Sequence, residues 1–230
     1  MSSPLPTLLY FGFRGRGLAS RVALFNTLGK EGWVDKKISL PRWKKAERPA
    51  SLGTERIYAE YITNNLPQLN LPCGLKVSQS QVIAKWAATQ KPDQLPPHHL
   101  TDLYPEDSKQ ALLVDEASLI VEQILLQTPK DADEVVKAEN RKKFYESGFL
   151  RVGMEILEGR IKESGGPFLL GDKLTLADLY IRSPLCDLFD LKQFDGVPEE
   201  FIDEFPRVRD CGKAVLEHPL LKAYVDAGYK

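Results

Sequence analysis

The sequence is poor in sulfur and imidazole: three cysteines, two methionines and three histidines among 230 residues. Cys73, Cys186 and Cys211 are widely spaced and form no CxxC pair. That excludes a disulfide framework and a cysteine zinc site, and reads as reduced thiols used as small apolar residues. His98, His99 and His218 have no zinc spacing either. No apolar run approaches the roughly 18 residues of a spanning helix. The start, MSSPLPTLLYFGFRGRG, has no basic stretch ahead of its short apolar segment and makes a poor secretion signal. Neither sign of charge is in excess: 31 basic against 32 acidic residues give a net charge of -1. This argues against a nucleic-acid or anionic-membrane footprint. No internal repeat or low-complexity tract is found. The expectation is a cytoplasmic globular chain, which 43% hydrophobic and 27% charged residues also fit.

Thr7-Leu8-Leu9-Tyr10-Phe11 reads as a buried strand ended by Gly12. Arg16 lies in a turn between Gly15 and Gly17, and helical spacing follows from Ala19 to Leu28, closed by Gly29. Trp33–Ile38 reads as a second strand, so the opening is a βαβ unit with a parallel pair. The segment from Pro41 to Thr63 is long and charged, with one helix expected near Glu55–Ile62. Gln68–Leu71 and Leu75–Val77 then read as a hairpin about Pro72-Cys73-Gly74, followed by a helix over Gln79–Thr89. This βαβ–ββα order is the thioredoxin-like topology. Lys91 to Pro105 carries four prolines and reads as a linker. Everything beyond is helical in pattern: Ala111–Leu126, a long amphipathic stretch over Asp133–Lys162 stopped by Gly165-Gly166-Pro167, then Phe205–Leu216 and Pro219–Ala227. Thr175 and Asp178 have capping-box spacing, with Leu174 and Leu179 at the staple positions. The expected organisation is an α/β thioredoxin-like domain over 1–91, a linker over 92–106 and an all-α domain over 107–230.

The richest segment is Leu66-Pro67-Gln68-Leu69 with Ser78-Gln79-Ser80. A cis peptide before Pro67 turns the backbone groups of Leu66 outward at the sheet edge, where an extended peptide can pair with them. Gln79 and Ser80 stand where the next helix begins, and its free N–H groups and positive dipole end attract a carboxylate. A backbone clamp beside an anion hook suits a small anionic peptide.

These motifs, in this order, resemble the cytosolic glutathione transferases. Leu9-Tyr10-Phe11 with Arg14-Gly15-Arg16 is similar to the first strand and helix start of their sigma class, which includes glutathione-dependent prostaglandin D synthases. Leu66-Pro67-Gln68-Leu69 and Ser78-Gln79-Ser80 resemble the family's cis-proline and Gln-Ser elements. Leu174 to Tyr180 resembles its capping-box motif, and Phe205-Pro206-Arg207-Val208 its late helix start. The likeness spans nearly the whole chain.

The resemblance implies a homodimeric enzyme conjugating the glutathione thiolate to hydrophobic electrophiles, of use in detoxification, with glutathione as co-substrate and no other cofactor or metal. A free cysteine thiol titrates near about 8.5, and only the thiolate attacks. Tyr10 stands where the family carries the hydroxyl that stabilises this thiolate, and Arg16 adds positive charge nearby. By the same resemblance the cysteinyl backbone meets Leu66 before Pro67, and the γ-glutamyl end meets Gln79 and Ser80. The glycine carboxylate meets Trp43 with Lys44 or Lys45. Phe11 packs and reaches toward a subunit interface. The second substrate is expected between Phe13, Arg14, the helix over Ala111–Leu126 and Tyr180, with Tyr145 a further candidate.

The chain also departs from the family. The segment from Trp43 to Pro67 is about ten residues longer than the family pattern. Asn65 replaces a basic residue that often stands two positions before the cis-proline. Gln123, with Glu122 beside it, stands where a partner subunit presents an acid. Gly17 and Leu18 replace a small alanine and an acid. The alternatives are a prostaglandin-type isomerase and a non-catalytic relative, such as a lens crystallin or a module of a translation complex. A glutathione-dependent oxidoreductase is disfavoured because Gly12–Arg21 contains no cysteine.

Overall fold

The computed structural model describes residues 4–39, 65–91, 96 and 99–229. The expected helix near Glu55–Ile62 lies outside these residues. Two compact units form: Met1–Thr101 together with Pro219–Lys230, and Asp102–His218.

In the first unit, β1 (Thr7–Phe11), β2 (Val34–Ile38), β3 (Gln68–Asn70) and β4 (Lys76–Ser78) make a four-stranded sheet in the order β2-β1-β3-β4. β2 runs parallel to β1, while β3 and β4 are antiparallel to their neighbours. Helices α1 (Leu18–Leu28) and α2 (Ser80–Ala88) pack on each other. This is the expected βαβ–ββα order.

α1 is buried from Leu18 to Thr27, so its polar residues need internal partners. Each has one. Thr27 Oγ1 donates to the carbonyls of Ala23 and Ala87, at 2.9 and 3.0 Å. Asn26 Nδ2 donates to Thr101 O at 2.8 Å, and its Oδ1 accepts from Leu100 N at 3.2 Å. Ser20 Oγ donates to Ser80 O at 3.3 Å, tying α1 to the start of α2. Arg21 reaches Asp35 on β2.

The second unit holds α3 (Ser108–Gln127), α4 (Glu134–Glu146), α5 (Phe149–Ser164), α6 (Leu176–Tyr180), α7 (Asp187–Asp190) and α8 (Pro206–Glu217). Asp107 and Asp133 cap α3 and α4 through their carboxylates. The stretch over Asp133–Lys162, expected as one helix, is two. At Ser147 φ is −145°, and the Gly148 N–H turns back to Lys143 O at 2.8 Å. A Cβ on Gly148 would come within 2.8 Å of Phe144 Cα, so only glycine allows this closure. Apolar spacing runs through the break, because two helices on one core can keep one phase. α5 stops at Gly165, in the left-handed region at φ 74°.

The capping box forms as expected. Asp178, fully buried, accepts from Leu169 N at 2.8 Å, Thr175 N at 2.8 Å and Thr175 Oγ1 at 2.7 Å. Burial pushes its pKa above the ordinary carboxylate range, and these hydrogen bonds oppose that shift. Asp178→Asn turns an acceptor into a donor facing the buried Thr175 N–H, which cannot accept. A loss of about 2 kcal/mol is expected, read as a lower urea midpoint with an unchanged slope.

The last helix, α9 (Pro219–Asp226), belongs to the first unit, not to the helical domain in which chain order had placed it. Its buried Tyr224 meets Phe25 of α1 edge-on, with ring centroids 5.8 Å apart. Tyr229 stacks between Tyr224 and Trp33 at 4.9 and 5.4 Å. An amphipathic pattern reports that a helix has an apolar face, not which surface covers it.

Candidate functional site

The candidate site lies where β1 ends and the chain turns into α1. Tyr10 is 5% exposed, and its phenol oxygen accepts a hydrogen bond from Arg16 N at 3.0 Å. That N–H belongs to the single turn Gly15–Gly17, whose Gly15 and Arg16 are half-buried. The Tyr10 oxygen therefore ends at a partly exposed turn preceding α1. Phe13 is 49% exposed and stacks on the half-buried Phe11, with centroids 5.3 Å apart. It meets Tyr10 edge-on at 5.7 Å.

Arg21, which the sequence reading passed over, organises this turn. Its side chain is 2% exposed. Nη2 donates to Phe11 O at 2.7 Å, Nη1 to Phe13 O at 2.9 Å and Nε to Asp35 Oδ1 at 3.0 Å. Its guanidinium carbon lies 5.4 Å from the Tyr10 ring centroid. One buried cation thus fixes the backbone on both sides of Gly12. The available signal was the single charge in the helix over Leu18–Leu28.

The second part of the site is the β3–β4 side. The Leu66–Pro67 peptide is cis, as expected. Pro67 is buried, and Leu66 is half-buried against Leu9 and Ile38. Asn65 is exposed. Gln79 is also exposed, and its φ of 81° and ψ of 114° are strained for a residue with a side chain. Ser80 is buried at the first turn of α2, its hydroxyl donating to Gln81 Oε1 at 3.3 Å.

Strand register brings these parts together. Leu9 pairs with Gln68, and Gln68 with Ser78. Tyr10, Pro67 and Gln79 each stand one residue beyond these pairs, at the same end of the sheet. Adjacent strands are about 4.8 Å apart, so this row spans about 10 Å, near the length of an extended tripeptide. Neither α1 nor α2 carries an acidic residue in its first turn, so both helix starts keep their positive potential.

Trp43 and Lys44 lie outside the described residues. Tyr180, expected beside the second substrate, is 2% exposed, and every residue from Leu176 to Ile181 is buried. Its place in an apolar helix turn decided this. Among the described residues no group of three or more His, Cys, Asp or Glu side chains could hold a metal ion, and no helix is long and apolar enough to cross a membrane.

Residues 121–228 match the family model for the glutathione S-transferase C-terminal domain. No curated protein matches the chain. Solved structures with the same fold include rat hPGDS complexed with a quinoline, at 19% identity over 96% of both chains and a TM-score of 0.68. Prostaglandin synthase D of Nilaparvata lugens is 19% identical over 97% of this chain and 98% of its own, with a TM-score of 0.69. A monomeric glutathione S-transferase of the hookworm Necator americanus is 21% identical over 99% and 98%, with a TM-score of 0.67. The chain has the glutathione transferase fold, and it resembles that family in sequence through its helical unit.

Proposed function

We propose that this chain is a glutathione transferase that holds the glutathione thiolate with the Tyr10 hydroxyl. The observation that carries the reading is that Tyr10, cis-Pro67 and strained Gln79 each follow or precede a paired strand residue at the same end of the sheet. The γ-glutamyl carboxylate binds at Gln79, Ser80 and the start of α2. The cysteinyl backbone pairs with Leu66. The glycine end extends toward Asn65, Trp43 and Lys44. This leaves the sulfur at Tyr10.

The phenol oxygen that accepts from Arg16 N still carries its own proton, which it donates to the sulfur. Accepting one hydrogen bond polarises the O–H and strengthens the one it donates. Lowering a thiol pKa by about 2 units takes roughly 2.7 kcal/mol of preference for the thiolate. A charge-assisted hydrogen bond supplies on the order of 1.5–3 kcal/mol, and the positive start of α1 with Arg16 adds to it. Phe11 and Phe13 offer the electrophile an apolar surface, and holding both reactants in place adds a proximity gain. The homodimeric state is part of the same reading.

Steady-state conjugation of a chlorodinitrobenzene-type electrophile tests this. The parent chain is expected to turn over with saturation in glutathione. Binding of glutathione without turnover of any electrophile would make it a non-catalytic relative. Isomerisation of a prostaglandin endoperoxide without conjugation would keep the thiolate and change the second substrate.

A further inference from the structure

Beyond α9 the chain closes a Schellman turn. Gly228 N donates to Val225 O at 2.9 Å, and Tyr229 N to Tyr224 O at 3.4 Å. Gly228 holds the left-handed region, at φ +95°. A Cβ there would meet nothing within 4 Å, so the backbone alone calls for glycine. The turn sends Tyr229 back along the helix onto Tyr224, the side-chain contact that accompanies this motif.

The returned ring joins three elements of the first unit. It stacks on Tyr224 of α9 at 4.9 Å and on Trp33, just before β2, at 5.4 Å. It meets Phe25 of α1 edge-on at 5.8 Å. The Trp33 Nε1 and the Tyr224 hydroxyl are buried, and neither has a hydrogen-bond partner among the described residues. Ring contact, not hydrogen bonding, therefore holds these two side chains.

Two routes lead from this stack to the turn after β1. Trp33 stands two residues before Asp35, which accepts from Arg21 Nε at 3.0 Å. Phe25 lies one turn beyond Arg21 on the same face of α1. Burial pushes the Tyr224 pKa up; the Arg21 charge opposes that rise and the Asp35 charge adds to it, so both act on this hydroxyl. Arg21 in turn holds the carbonyls of Phe11 and Phe13.

We propose that Tyr229 is a conformational latch: it closes α9 onto α1 and the start of β2, and this closure keeps Arg21 and Asp35 where they clamp the turn after β1. With the latch open, α9 lifts and the turn loosens while the second unit stays folded. The inference is independent of the reading of Tyr10, and each readout of its test is taken without glutathione.

The test is amide hydrogen exchange in the full chain carrying Tyr229→Ala, which reads local opening element by element. Loss of two stacked pairs is expected to speed exchange in α9 at least about tenfold. Residues 12–21 should exchange about threefold faster, and α3 of the second unit should keep its parent rate. Tyr229→Phe loses only a hydroxyl 3.5 Å from Lys30 O and should match the parent. Gly228→Ala keeps every ring and strains the left-handed turn, so it should give the same pattern at smaller size. An unmoved α9, or a faster α9 with residues 12–21 at their parent rate, overturns the proposal. Equal acceleration in α3 also overturns it, because the loss is then global and no latch has opened. Should Tyr229→Ala fail to fold, Gly228→Ala decides by the same readings.

Discussion

Tyr10→Phe lowers kcat/KM for conjugation at least about tenfold, equivalent to roughly 1.4 kcal/mol. The substitution removes one oxygen and little else. The ring keeps its packing against Phe11, Phe13 and the Arg21 guanidinium. Arg16 N loses its acceptor but lies in a half-buried turn, where water can replace it. Stability should therefore change little and the glutathione KM should stay close to the parent value. The loss falls on the ionised sulfur, so the acidic limb of the pH profile moves up by about 1 unit for a tenfold effect. A variant with parent-like kcat and an unmoved limb would transfer thiolate stabilisation from the phenol to the start of α1.

Arg21→Ala has the largest expected effect on stability. It strips three acceptors at once: Asp35 Oδ1, Phe11 O and Phe13 O. Asp35 is then a buried carboxylate whose remaining cation among the described residues is Lys37, half-exposed, with Nζ 3.7 Å from Oδ2. Removing one partner of a buried pair costs about 3–5 kcal/mol, because the surviving charge stays desolvated. In a chain of this size that lowers Tm by on the order of 10 °C. A calorimetric or circular-dichroism melt reads it directly. The double replacement Arg21→Met with Asp35→Leu should recover much of the loss, since no charge is left buried. Activity need not recover with it, because methionine cannot bridge the Phe11 and Phe13 carbonyls. A melt unchanged in Arg21→Ala would mean that the first strand and its turn are held without this cation.

Local pattern carried much of the fold. The run Thr7–Phe11, the turn residues Gly15 and Gly29, the hairpin about Gly74 and the Thr175–Asp178 box each specify a conformation within a few residues of themselves. They appear where their own chemistry puts them. The break at Ser147-Gly148 was hidden because amphipathic phase continued across it. Of the candidate site residues, Tyr10, Pro67, Gln79 and Ser80 stood in recognisable short motifs. Arg21 did not, since its three partners lie 8 to 14 positions away and become neighbours only when β1, β2 and α1 pack. Tyr180 shows the converse: a tyrosine in a suggestive motif was buried by the helix around it.

By itself the sequence determined the strand–helix order, the caps and breakers, and the residue types that can hold a peptide and polarise a thiol, because these depend on covalent chemistry and near neighbours. Tertiary structure alone decided that the last helix returns to the first unit. It alone also decided that a buried arginine clamps the first turn. Those outcomes depend on which surfaces exclude water from one another and on hydrogen bonds between residues several positions apart.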